Sequence, residues 1–73
     1  MTVPLAHILV FKTSLQTLPD CVKATLDAQA EIQTWTIDLQ DVDCVLRVIS
    51  ATLTPATIIH LISRHGYDCA ELD

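Results

Sequence analysis

The chain is poor in glycine, in aromatic residues and in basic residues. Its 73 positions include one Gly, one Phe, one Trp, one Tyr and four Lys or Arg. A single glycine excludes the glycine-rich loops that hold phosphate groups in nucleotide-binding proteins. Nine acidic residues against four basic ones give a formal net charge of −5. Because nucleic acids and anionic membrane surfaces bind through Lys and Arg, we expect neither as a partner.

Cysteine is also sparse. Cys21, Cys44 and Cys69 are an odd number at wide spacings, so they form neither a CxxC pair nor a disulfide framework. The first residues, MTVPLAHILVFK, lack the basic region and the small-residue cleavage site of a signal peptide. No apolar run reaches the roughly 18 residues that a membrane helix needs. Together these features predict a cytoplasmic protein with reduced thiols.

Aliphatic residues, in contrast, are abundant. Hydrophobic residues make up 51% of the chain, and its mean hydropathy is +0.43. A chain this short forms one domain, residues 1–73, and buries only about 60% of the surface of its unfolded form. So much apolar sequence in so small a domain indicates that some apolar surface meets a partner.

The first part of the chain reads as a strand followed by a helix. The apolar run LAHILVFK (5–12) predicts a strand at the centre of a sheet. From Thr17 onward the apolar residues follow a helical period. Thr17 is placed to cap this helix and Pro19 lies in its first turn, and the helix is predicted to end near residue 29 or 30.

A hairpin comes next. IQTWTIDL (32–39) alternates between apolar and polar residues, which predicts a half-buried strand with Trp35 and Leu39 on the core face. QDVD (40–43) reads as a turn, and CVLRVIS (44–50) as the strand that completes the hairpin.

The last part of the chain predicts a helix and a short strand. LTPATIIHLISRHG offers Thr54 as N-cap, Pro55 at the first helical position and Gly66 at the C-terminal cap. YDCAEL (67–72) reads as the last strand. The order is therefore βαββαβ. Right-handed crossovers arrange such a chain as a ferredoxin-like α+β sandwich, a four-stranded antiparallel sheet with two helices on one face.

Three segments carry a family pattern. VFK ends the first strand, WTIDL stands where the pattern has V-x-V-D-L, and TPATIIHLISRHGY (54–67) follows D-P-E-x-L-I-x-x-I-x-x-x-G-Y. In these segments the chain resembles the heavy-metal-associated domains of copper chaperones and metal-pumping ATPases. The resemblance covers nearly the whole chain, needs no gap between Phe11 and Leu39, and implies the same ferredoxin-like fold.

The resemblance also implies where a metal loop would lie, because the family carries GMTCxxC after its first strand. Without a gap, the glycine of that motif falls on Lys12, the methionine on Thr13 and the two cysteines on Leu15 and Leu18. Leucine offers no lone pair to soft Cu(I), which needs thiolate or thioether ligands. We therefore expect a packing loop, no metal and no cofactor. An alternative alignment makes Cys21 the second cysteine of the motif, but it needs a three-residue gap.

The remaining sulfur and imidazole groups form no ligand pattern. The alternative ligands are Cys21, His65 and Cys69. The last two belong to HGYDC, which pairs a histidine with a cysteine across a glycine turn. Free cysteine is among the most buried residue types. All three cysteines are therefore predicted to be buried side chains, with Cys44 on the inward face of the third strand. His60 is predicted to lie on the solvent side of its helix.

Nothing in the chain predicts catalysis, and we expect no enzyme. Ser14 and Ser50 lack the glycine-rich elbow of a nucleophilic serine. Asp38, Asp41 and Asp43 cluster around the hairpin turn. A solvated turn is the simpler interpretation of this cluster, and hard-cation binding is the alternative.

The sheet face opposite the helices carries the strongest functional signal. If Leu9 and Phe11 point to the helices, four apolar side chains on the first and third strands point away. These are Ile8, Val10, Val45 and Ile49, with Arg47 between the last two and with Thr34, Thr36, Lys12 and Asp68 as a polar rim. An antiparallel sheet usually has a polar outer face, and an apolar patch on a monomer marks an interface. The alternative is ordinary β-branched propensity in central strands.

Two functions remain open from the sequence. The first is a small interaction module of heavy-metal-associated-like fold that has lost its metal site and contacts a protein partner, or a second copy of itself, through the open sheet face. The second is a metallochaperone-like carrier of copper or zinc that uses noncanonical Cys and His ligands.

Overall fold

The computed structural model describes residues 7–72, so Leu5 and Ala6 of the predicted first strand lie outside the described residues. The elements are β1 (His7–Thr13), α1 (Asp20–Asp27), β2 (Ile32–Asp38), β3 (Val45–Ser50), α2 (Pro55–Ser63) and β4 (Cys69–Glu71). The α+β class is confirmed, with one four-stranded antiparallel sheet and two helices.

The strands lie in the order β2-β3-β1-β4, which puts β1 and β3 at the centre of the sheet as predicted. In the β1–β3 pair, Val10 lies opposite Arg47 and Phe11 opposite Leu46. In the β2–β3 pair the register shifts between Ile32 and Thr34. Every strand pairing is antiparallel, so each strand presents alternate side chains to the two faces of the sheet.

Helix α2 forms where the sequence predicts it. The Thr54 hydroxyl accepts a hydrogen bond from the Thr57 backbone N–H at 3.4 Å, and Pro55 occupies the first position. The chain leaves the helix through a turn in which Gly66 has φ +88°, a conformation that favours glycine because it has no Cβ.

Helix α1 is shorter than predicted, and Thr17 does not cap it. The helix begins at Asp20, with Pro19 as N-cap in an extended conformation (φ −64°, ψ 146°) and with no side-chain cap. A residue before proline is pushed out of the α-helical region, so Leu18 cannot belong to the helix. The helix ends at Asp27, two or three residues before the predicted end.

A single hydrophobic core lies between one face of the sheet and both helices. It contains Phe11, Leu15, Val22, Leu26, Leu46, Val48, Ile58, Leu61 and Ile62. Each of these side chains is at most 6% exposed. Both helices, the two central strands and the loop after β1 therefore depend on one another for burial.

The second strand meets this core only in part. Trp35 and Ile37 are half-buried and pack against the core. The Trp35 indole Nε1–H donates to Asp27 Oδ1 at 2.9 Å, which joins β2 to the end of α1. The predicted core position of Leu39 is wrong: β2 ends at Asp38, and Leu39 lies in the following turn with 38% of its surface exposed.

The β1–α1 loop gives a direct test of this packing. Leu15 is 0% exposed, whereas Leu18 is half-buried at the margin of the core. Replacing Leu15 by Ala should lower the free energy of unfolding by about 2–5 kcal/mol, because it removes buried methyl groups and leaves a cavity. Leu18→Ala should cost clearly less, and Leu15→Met less than about 1.5 kcal/mol. Urea unfolding followed by Trp35 fluorescence measures all three, and an equal cost for the two Ala variants would contradict the packing described.

Candidate functional site

The loop after β1 is built by packing and by hydrogen bonds to its neighbours. Thr13 Oγ1 donates to the Cys44 backbone oxygen at 2.7 Å and accepts from the Leu15 backbone N–H at 3.2 Å. The Ser14 hydroxyl accepts from the Asp68 backbone N–H at 2.8 Å, and the Ser14 backbone N–H donates to the Asp68 backbone oxygen at 3.0 Å. The loop is thus tied to the β2–β3 turn and to the segment before β4.

The positions that the family resemblance equates with metal ligands carry no sulfur. Leu15 is entirely buried in the core and Leu18 packs against it. Lys12 is exposed on β1, and the Thr13 hydroxyl is engaged with backbone groups. Leu15, Leu18 and Thr13 therefore hold the loop against the fold, which is the role expected of a packing loop.

The alternative ligands lie in three different settings. Cys21 is exposed on α1, and Cys69 is half-buried against the core. His65 is half-buried, and its Nε2 lies 2.7 Å from the Thr25 hydroxyl oxygen. Within residues 7–72, no group of three or more His, Cys, Asp and Glu side chains is arranged to hold a metal ion.

Two of the cysteine predictions are wrong. Cys21 is exposed because it lies beside, and not on, the helix face that buries Val22 and Leu26. Cys44 precedes β3 instead of belonging to it. It is half-buried with φ +46°, a left-handed conformation that breaks the strand alternation on which its inward position was predicted.

The thiol of Cys69 is perturbed by its surroundings. Partial burial raises its pKa from 9.0 to about 11, because the thiolate loses solvation there. Since the thiolate is the reactive form, this cysteine is a poor nucleophile at neutral pH.

The hairpin carboxylates shape their own turn. Asp38 Oδ1 accepts from the backbone N–H groups of Gln40 and Asp41 at 3.1 and 3.2 Å, and Asp41 Oδ1 accepts from the Asp43 N–H at 2.9 Å. All three carboxylates belong to exposed residues. The interpretation as a solvated turn accounts for these contacts.

Ser50 and His60 lie in different surroundings, one buried and one exposed. Ser50 is buried, and its hydroxyl donates to the Glu31 backbone oxygen at 2.7 Å. The same hydroxyl accepts from the backbone N–H groups of Thr52 and Leu53. It therefore supports the connection between β3 and α2. His60 is exposed on α2, as predicted.

The sheet surface without helices is called the open face here. From the strand register it carries Ile8, Val10 and Lys12 of β1, Thr34, Thr36 and Asp38 of β2, Val45, Arg47 and Ile49 of β3, and Ala70 of β4. Each of these positions alternates with a position on the core side. In the described part of the chain, none of them belongs to the core cluster or to the side chains packed on it.

The apolar side chains of the open face differ in exposure. Ile8 is 66% exposed and lies opposite Ile49, which is half-buried like Val10. Val45 has the predicted strand position, but its side chain is only 6% exposed. Val45 is the first residue of β3 and lies opposite Asp38, the last residue of β2, beside the turn that joins the two strands. The accessible apolar patch therefore consists of Ile8, Val10 and Ile49.

A shallow depression of about 120 Å³ lies beside this patch. It is lined by Ile8, Thr34, Trp35, Thr36, Arg47 and Ile49. The sequence pattern identified most of these residues as patch or rim, but it could not show that they enclose a concave space. It also missed Ala70, which extends the open face onto β4 by lying opposite Lys12. Asp68, predicted for the rim, is exposed just before β4; its backbone pairs with Ser14, and it lines a second depression together with Lys12 and Ala70 of the open face.

The cysteine environments predict an order of modification. In the folded, reduced protein, iodoacetamide at neutral pH should label Cys21 well before Cys69, because Cys21 is exposed and the Cys69 pKa is about 11. The raised pKa also means that Cys69 stabilises the fold below pH 9. That contribution is lost as the pH rises toward 11, because the unfolded chain loses this proton first. Peptide mass mapping over time measures the labelling, and equal rates for the two thiols would contradict the burial of Cys69.

The β1–α1 loop predicts no stoichiometric Cu(I) binding in the presence of competing glutathione. The triple variant Thr13→Met, Leu15→Cys and Leu18→Cys should bind one Cu(I) if the gap-free alignment is correct. Titration against a chromogenic Cu(I) chelator measures both proteins. Binding by the wild type that is lost in Cys21→Ser, together with an inert triple variant, would instead support the gapped alignment and the metal-carrier hypothesis.

Comparison with known proteins adds no further assignment. No protein-family model, no curated protein and no solved structure matches this chain. The described residues contain no helix with the length and apolar character to cross a membrane.

Proposed function

We propose that this chain is a small non-enzymatic interaction module that contacts another protein through its open face. Its architecture is proposed to be ferredoxin-like, of the heavy-metal-associated type without the metal loop. The order of the elements along the chain and the strand order β2-β3-β1-β4 support this architecture. The free state of all three cysteines supports a reducing compartment, so the proposal includes a cytoplasmic location.

The exposed Ile8 is the observation that carries the proposal. This large aliphatic side chain is 66% exposed although β1 is a central strand, and it lies opposite Ile49 and one position from the half-buried Leu9. With Val10 it forms apolar surface where an antiparallel sheet usually presents polar groups to water. Both helices pack on the opposite face, so within residues 7–72 no helix covers this surface.

The size of the patch favours a moderate complex. Burying apolar surface contributes about 25 cal/mol per Å², so covering a few side chains contributes several kcal/mol at most. Association costs roughly 4–15 kcal/mol in lost translational and rotational freedom. The patch alone therefore cannot support an obligate assembly, and polar contacts from the rest of the open face must contribute.

The metal-carrier alternative has less support from the geometry. It would need Cys21, His65 and Cys69 to converge. Cys21 is exposed on α1, His65 pairs with Thr25, and Cys69 packs on the core. No contact between these three side chains favours a shared ion.

Site-specific photocrosslinking tests the proposed surface. A photoreactive amino acid at position 8 should yield protein adducts of higher mass in the native host, because position 8 lies on the proposed contact. The matched control is position 42, since Val42 is an exposed aliphatic residue (94%) in the β2–β3 turn, beyond the Lys12 end of the open face and not beside Ile8. Mass spectrometry identifies the adducts and shows whether the partner is a second copy.

The same positions supply a stability control. Ile8→Asp and Val42→Asp should each change the free energy of unfolding by less than about 1 kcal/mol, because both side chains are largely exposed. Ile8→Asp alone should remove the complex. Equal adduct yields at positions 8 and 42, or no adduct at position 8, would contradict the open face as the interaction surface.

A further inference from the structure

Charge is distributed unevenly between the open face and the rest of the molecule. Lys12 and Arg47, two of the four basic residues in the chain, lie on the open face and are exposed. Asp38 is the one acid among the described strand positions of that face, and Asp68 borders it beside Lys12. Two bases and these two acids leave the face neutral in a chain of net charge −5. Acids are therefore scarcer on the open face than elsewhere, and the depression beside Arg47 has none among its described lining residues.

Arg47 occupies the middle of this surface. It lies opposite Val10 on β1 and opposite Thr36 on β2. Its neighbours on the same face of β3 are Val45 and Ile49. An exposed guanidinium surrounded by short and apolar side chains keeps its hydrogen-bond donors free toward solvent. Arg binds carboxylates through two parallel hydrogen bonds, which gives both strength and a fixed geometry.

The depression next to Arg47 provides a second point of recognition. Its volume is about 120 Å³, and Ile8 and Ile49 contribute its apolar lining. For comparison, an apolar cavity of about 150 Å³ holds a benzene ring. The depression is therefore of the size that takes one aliphatic or aromatic side chain.

We propose that the open face recognises an acidic, apolar segment of another protein. This inference rests on the proposed function and specifies its partner. The segment places one apolar side chain in the depression and a carboxylate on Arg47, while a further acid can reach Lys12. The choice of occupant rests on charge complementarity, because the cation Arg47 itself lines the depression beside Ile8 and Ile49.

A second copy of the chain fits this surface less well. A two-fold contact would bring the Arg47 side chains of both copies into one interface, and no acid is among the described residues that line the depression beside Arg47. Like charges placed across an interface cost binding free energy. An acidic segment instead supplies a carboxylate to Arg47.

Peptide selection tests the inference without a known partner. A library of random peptides displayed on phage is panned against the reduced, full-length chain. We expect enriched peptides to combine Asp or Glu with a neighbouring aliphatic or aromatic residue. Synthetic versions of the enriched peptides are then titrated against the wild type and the variants by fluorescence anisotropy.

Three variants locate the binding. Arg47→Glu should weaken the peptides at least about tenfold, because it removes a charge-assisted contact and introduces repulsion. Ile8→Asp should weaken peptide binding to a similar degree, because it places a carboxylate in the apolar lining of the depression. Arg64→Glu is the matched control, since Arg64 is an exposed cation at the end of α2, away from the open face. It should leave the affinity within about twofold, and circular dichroism verifies that all variants are folded.

The outcomes separate this inference from the proposed function. Peptides that are lost in Ile8→Asp but carry no acids and ignore Arg47→Glu overturn the inference and leave the open face as a binding surface. A dimer in sedimentation experiments that Ile8→Asp dissociates, without acidic peptides, likewise overturns it in favour of a second copy. Peptides indifferent to both open-face variants contradict the proposed function itself. A library that yields no enriched peptide also overturns the inference.

Discussion

The burial of one apolar core against one face of the sheet is the constraint on which the rest of this structure depends. A domain of this size can bury only about 60% of its unfolded surface, so every element must contribute to a single core. The loop after β1 contributes Leu15, which is fully buried. A side chain held there for packing cannot also present a ligand to solvent. The same constraint makes Cys69 a poor nucleophile at neutral pH, because its partial burial raises the thiol pKa to about 11.

The alternation of strands turns that constraint into a functional consequence. While Phe11, Leu46 and Val48 face the helices, their neighbours must face the other way. Those neighbours include the exposed Ile8 and Arg47, so the open face presents both an apolar side chain and a guanidinium to solvent. Neither of the two described helices covers this surface, because both pack against the other face. The interaction function proposed here therefore follows from the open face, which takes no part in the core.

Much of the fold was predictable because its signals are local. Thr54 and Gly66 mark the two ends of α2 through capping and through positive φ. The start of α1 was misjudged because Thr17 is a good capping residue, yet Pro19 excludes Leu18 from the helix. The site was less predictable, since Val45 is buried although its strand position faces away from the helices, and the depression beside Arg47 requires three strands together. Neither property can be read from residue types along one strand.

Solvent exposure of individual methyl groups tests the central claim most directly. A soluble paramagnetic agent broadens the methyl NMR signals of side chains that contact water. For the isolated protein, the account predicts strong broadening for Ile8, weaker broadening for Val10 and Ile49, and protection for Leu15 and Val45. Strong broadening of Leu15 would show that the loop after β1 does not pack into the core. Protection of Ile8 in the dilute monomer would show that the open face is already covered, which would contradict the account.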